Sequence, residues 1–421
     1  MKSPKIYFIL FSPLYALKVL RYNSNMGINH TFVKPTYDSG GFAGIPNRIT
    51  QAFASQKYDA VVLFFIDAFG WRFFEQYQES AFIKRIAKHG KIEKITSQFP
   101  STTAAHVSTI HTGLPVGVSG VHEWYYYEPS VDKVIAPLLF SRAGDFERET
   151  LHQMGGNAAE IYPRGIFYPA LKKMGVDSFN FCIRDYMAST YSKTVMKGSE
   201  IRGFKTLSEA FINLGSLLEK QNKLTYIQLY FDKIDAIAHE YGPTAPQTEA
   251  EIKTFLLMME YYFERIFTGK KKVLFLMTAD HGMAEVDPNK TIYLNKNINF
   301  GGVEKFIKTN RREQFIVPTG SARDMFLHIK EEALDDAQEF LANRLYGKAD
   351  VVKTEDLIAQ GYFGAEISKR FHDRVGNLVI LSYINETVWW FEKDKFDMTF
   401  LGHHGGLTPQ EMETILYSIE L

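Results

Sequence analysis

"AVVLFFID", residues 60–67, is a seven-residue apolar run ended by a carboxylate. A short run of Val, Leu, Ile and Phe without polar alternation suits a strand buried on both faces, as in parallel sheets. An aspartate at its end is, taken alone, a turn former. Three further segments repeat the pattern of a strand followed by chemistry. "KIEKITSQF" (91–99) alternates like a strand and leads into "PSTTAAHVSTIHTG". "KLTYIQLYF" (223–231) leads into "DKIDAIAHEYGP". "KKVLFLMTA" (271–279) leads into "DHGM".

Helical spacing fills the intervals between these strands. "WRFFEQYQESAFIKRIAKHG" (71–90) reads as a helix ending on Gly90, and "EAEIKTFLLMMEYYFERIFTG" (249–269) as one stopped by Gly269. Strands alternating with helices imply an α/β fold with a mostly parallel sheet sandwiched by helices. Residues 287–395 read differently and are expected to form an inserted, smaller α+β lobe. The catalytic domain would then comprise 1–286 and 396–421, with the lobe as a candidate lid.

Bulk properties narrow the function. The chain has 421 residues, more than one core usually carries, and 48 basic residues balance 48 acidic ones. No global positive field exists for long nucleic acid or an anionic membrane. The single cysteine, Cys182, excludes an internal disulfide framework and a thiolate metal cluster, and it fits a reducing, cytoplasmic setting. The N-terminal "KIYFILFSPLYALKVLR" is too short and interrupted for a stable membrane anchor and is read as part of the fold.

In a parallel sheet the C-terminal strand ends share one crevice, where ligands bind. Asp67, Asp235, Asp280, His239 and His281 should meet there, joined by His404 of the C-terminal "LGHHGGLTPQEM". This oxygen and nitrogen donor set suits zinc foremost, with manganese or iron as alternatives. Six ligands are too many for one tetrahedral ion and about right for two. Thr103 would open a helix, where free N–H groups and the helix dipole favour a phosphate or an alkoxide, and it is the candidate nucleophile. Two divalent ions bring a charge of about +4 against three aspartates, which matches a phosphodiester better than a monoester.

Together these segments resemble the alkaline phosphatase superfamily, specifically type I phosphodiesterases/nucleotide pyrophosphatases, from about residue 58 to 410. The resemblance implies that one zinc takes Asp67, Thr103, Asp280 and His281, and the other Asp235, His239 and His404. It implies a phospho-threonine intermediate and a small phosphate ester substrate, a nucleotide among the candidates. The family's phosphate-binding Asn is missing. Glu123 and Trp124 stand in its region, and only the Trp124 indole N–H can donate. Arg323, in "TGSARDMF", is a further candidate for reaching substrate. No sulfatase "C-x-P-x-R" element surrounds Cys182. The competing readings are a phosphomonoesterase or phosphonate hydrolase on the same site, and a non-catalytic, metal-stabilised binding protein.

Overall fold

The computed structural model describes residues 28–145, 147–267, 269 and 271–421. The N-terminal apolar stretch discussed above lies outside the described residues. The main sheet has seven strands: β1 (Ala60–Ile66), β2 (Lys91–Thr96), β3 (Asp177–Ile183), β4 (Glu200–Phe204), β5 (Thr225–Phe231), β6 (Val273–Thr278), and a last strand, Glu413–Glu420. Between β6 and the last strand a second sheet contributes β7 (Thr319–Gly320), β8 (Asp324–Leu327), β9 (Ala349–Lys353) and β10 (Leu378–Ser382), so the last strand is β11. The spatial order is β2-β11-β6-β1-β5-β3-β4 in the main sheet and β7-β8-β10-β9 in the second. β1 runs parallel to β5 and β6, and β3 parallel to β4 and β5. Only β11 runs against its neighbours.

β1 sits at the centre, and all seven of its residues are buried. Its alternate side chains feed two cores. Val62, Phe64 and Ile66 join the core that includes Phe211, Phe255 and Phe263. Val61, Leu63 and Phe65 join the core that includes Phe42, Ile110 and Tyr226. A two-residue period with both faces covered is what an unbroken apolar run requires. Four helices matter most here: α1 (Thr103–Thr112), α2 (Leu207–Lys220), α3 (Lys233–Tyr241) and α4 (Pro246–Phe267). α1 packs on one face of the sheet, and α2 and α4 on the other. Among the described residues no helix is long and apolar enough to cross a membrane.

One local expectation fails. The stretch 71–90 is two helices, Trp71–Tyr77 and Ala81–His89, because Ser80 takes extended backbone (ψ 147°) between them. The break turns Phe82, Ile83 and Ile86 into the core. Glycine follows directly at the ends of α1 (Gly113) and α3 (Gly242), whereas α2 is closed by Gln221. Gly113 closes α1 at φ 74°, a left-handed conformation that favours glycine.

Candidate active site and metal centre

β1 leads directly into Asp67, β6 is followed within three residues by the Asp280–His281 pair, and β5 leads into α3 with Asp235 and His239 on one face. A strand exit after β2 delivers Thr103 to the first turn of α1, where no side chain caps the helix amides. His404 arrives on the loop before β11.

The structure sorts these residues into two groups of converging ligand atoms: Asp67, Asp280 and His281, and Asp235, His239 and His404. His281 Nε2 lies 3.4 Å from Asp67 Oδ1 and 3.3 Å from Asp280 Oδ2. Thr103 Oγ1 lies 3.2 Å from His281 Nε2 and 3.5 Å from both Asp67 oxygens. Asp235 Oδ1 lies 3.4 Å from His239 Nε2 and 3.6 Å from His404 Nε2. The groups adjoin, because the His281 and His404 rings stack with centroids 3.6 Å apart.

Each histidine's other nitrogen fixes its tautomer. Nδ1 of His239, His281 and His404 donates to the carbonyls of Gly402 (2.8 Å), Gly282 (2.9 Å) and Ser101 (2.9 Å). All three Nε2 atoms therefore present lone pairs towards carboxyl oxygens. Asp235 Oδ1 and Asp280 Oδ2 are buried without a hydrogen-bond donor. Two ligands about 2.1 Å from a tetrahedral ion stand about 3.4 Å apart, so these spacings suit a cation at each group. The backbone-held histidines are the outer support such sites need.

Without cations the site is electrostatically crowded. Burial, then Asp280 and Asp235, holds the Asp67 carboxyl well above the usual carboxylate range. Burial raises Asp235 to about 8, helped by Asp232. Asp280 rises to about 7, again chiefly through burial. Burial lowers His239 to about 4 and takes His281 and His404 well below the usual imidazole value. Neutral imidazoles and protonated acids are the metal-free compromise; a divalent ion favours the ionised acids.

Trp124 lines a cavity of about 220 Å³ that also includes Asp67, Thr103 and Asp235. Glu123, its neighbour, is buried outside this lining, accepts the Trp124 backbone N–H, and is raised to about 8 by burial. Arg323 is a correction. It is fully buried, its guanidinium pairs in bidentate fashion with Glu411 (2.9 Å to each oxygen), and its other N–H groups reach the carbonyls of Ser382, Tyr383 and Glu386. With every donor committed to protein, it does not reach substrate. Tyr230 was not anticipated. Its hydroxyl donates to Asp67 Oδ2, a contact set by the β1–β5 register, which pairs Phe65 with Tyr230.

A family model for type I phosphodiesterase / nucleotide pyrophosphatase matches residues 61–407. No curated protein matches the chain. Murine ectonucleotide pyrophosphatase / phosphodiesterase 5 superposes with a TM-score of 0.64 at 17% identity, covering 85% of this chain and 87% of that one. An inactive form of the murine protein, in complex with AMP, gives 0.63 at 16%, with the same coverage. Phosphonoacetate hydrolase from Sinorhizobium meliloti 1021, in complex with phosphonoformate, gives 0.59 at 16%, covering 86% of this chain and 90% of that one. At these identities the structural likeness speaks for the shared fold.

Proposed function

Since the chain belongs to the type I phosphodiesterase / nucleotide pyrophosphatase family, we propose that it hydrolyses a small phosphodiester at a two-metal centre, with Thr103 as nucleophile. One observation carries this reading: six Asp and His ligand atoms converge in two groups, with the Thr103 hydroxyl against one of them. Asp67, Asp280, His281 and Thr103 would hold one ion, and Asp235, His239 and His404 the other, with zinc the best match to the donors. Bound there, the ions would stabilise charge on the phosphoryl oxygens and lower the pKa of the nucleophile.

The chain's own groups supply the rest. Thr103 Oγ1 forms the new bond to phosphorus while one ester P–O bond breaks, and the leaving group departs with that electron pair. His281 Nε2, 3.2 Å from Thr103 Oγ1, would be taken up as a metal ligand, so the hydroxyl proton would pass to solvent water. Water then cleaves the phospho-threonine at phosphorus and restores the hydroxyl. The uncapped first turn of α1 offers backbone N–H groups to the phosphoryl oxygens. Tyr230 holds the Asp67 carboxylate in place.

AMP in the murine protein and phosphonoformate in the bacterial one are small phosphorus anions. They support a small-molecule ester here too. The test is metal analysis of the purified protein, paired with turnover of bis(p-nitrophenyl) phosphate before and after chelation. Two metals per chain with activity lost on chelation are expected. Activity that survives in metal-free protein would overturn the reading.

A further inference from the structure

The cavity beside Thr103 contains features that the metal groups and the nucleophile leave unused. Its volume of about 220 Å³ exceeds the roughly 150 Å³ that accepts benzene, so a ring and a substituent fit. Trp124, Phe181, Tyr186 and Tyr191 give it flat apolar walls.

Two polar groups stand out against those walls. Gln228, in the middle of β5, is 1% exposed and lines the cavity, and its Nε2 has no hydrogen-bond partner. A buried amide donor left unpaired is costly, and a ligand acceptor would satisfy it. Arg148 is exposed and lines the same cavity, with its guanidinium carbon 5.1 Å from the centre of the Tyr186 ring. Among the described residues it is the cavity's one lysine or arginine, and no carboxylate forms an ion pair with it. Asp67 and Asp235 belong to the ligand groups, and Asp232 accepts the Tyr186 hydroxyl (2.6 Å) and sits 3.2 Å from Lys233. The cavity thus holds a cation beyond the charge that a simple diester would balance.

Resting on the hydrolase reading above, the geometry points to a phosphodiester whose second ester group is a ring that offers an acceptor to Gln228 Nε2 and carries its own anion to Arg148. Carboxylate and phosphate share that chemistry, and both suit the planar fork of an arginine. Arg148 and Gln228 are then specificity-determining residues of one substrate pocket.

The experiment compares three p-nitrophenyl diesters on the metal-loaded full chain, with phenyl, carboxyphenyl or phosphophenyl as the second ester group. Binding of the matching non-hydrolysable methylphosphonates is measured in parallel. Wild type should favour a charged ester over the phenyl ester about tenfold in kcat/KM, the scale of one charge-assisted hydrogen bond. Whichever charged ester leads identifies the anion. Arg148→Ala should erase most of that ratio, Arg148→Lys should keep part, and Gln228→Met should raise KM more than it lowers kcat. Turnover of all three esters within twofold, or a ratio indifferent to Arg148→Ala, overturns the inference and leaves the hydrolase reading standing. Absent turnover, with an Arg148-dependent preference in binding, overturns the hydrolase reading and upholds the pocket. Absent turnover and absent preference overturn both.

Discussion

Thr102 and Thr103 are neighbours with opposite surroundings. The Thr103 hydroxyl is in contact with Asp67 and His281, whereas the Thr102 hydroxyl turns to buried Glu123. Extended backbone at Thr102 (φ −127°, ψ 143°) explains the alternation. Thr103→Ala should keep both metals, because three protein ligands remain at each ion, and lose turnover by at least about a thousandfold. Thr103→Ser should keep a measurable part, since the hydroxyl survives with a freer rotamer. Thr102→Ala should cost stability more than turnover. Steady-state kinetics with metal analysis checks all three, and an active Thr103→Ala would remove the threonine nucleophile from the mechanism. The six Asp and His residues that converge here were legible in the sequence because each follows an apolar strand or falls in a short Asp/His motif. Tyr230, Gln228 and Arg148 were not, because their roles depend on cross-strand register and on the path of a loop.

At the scale of elements, the sequence conveyed strand and helix order well, because burial on both faces writes long apolar runs. It misjudged Arg323, where only the fold shows which donors are already taken. The Arg323–Glu411 pair joins the second sheet to the loop that carries His404. Arg323 immediately precedes β8, and Glu411 also accepts the Gly406 N–H (3.0 Å) and closes a capping box with Thr408. Arg323→Met leaves Glu411 buried and unpaired, a loss of about 3–5 kcal/mol. The strain should pass to His404 and loosen the Asp235–His239–His404 group first. The expected result is a lower melting temperature, with one metal surrendered to chelator faster than the other. Equal release of both metals would mean that the pair supports the fold as a whole and not this loop.

The whole molecule carries a charge conflict that metal would resolve, and its pH dependence is a test. In the metal-free chain, burial raises Asp235 to about 8, Asp280 to about 7 and Glu123 to about 8, all well above the usual carboxylate range. The folded chain keeps protons that the unfolded chain has released, so these groups lose stability as pH rises towards their folded values. Histidines act in the opposite direction but in another range. His239 falls to about 4, and His106, His111, His122, His328 and His403 to about 3, all through burial. Unfolding lets them take protons only below about pH 6.5, so their cost appears on acidification. Between about pH 6.5 and 8 the carboxylates act alone. Metal-free protein should lose on the order of 4 kcal/mol across that window. Protein saturated with zinc should lose less, because metal competes with protons for the Asp235 and Asp280 oxygens and binds better as pH rises, leaving only the Glu123 share of the slope. Denaturant midpoints at half-unit pH steps, with and without metal, measure both slopes. A metal-free curve that is flat from pH 6.5 to 8 would show that the fold itself tolerates ionised Asp235, Asp280 and Glu123. The crowding that calls for two cations would then be absent.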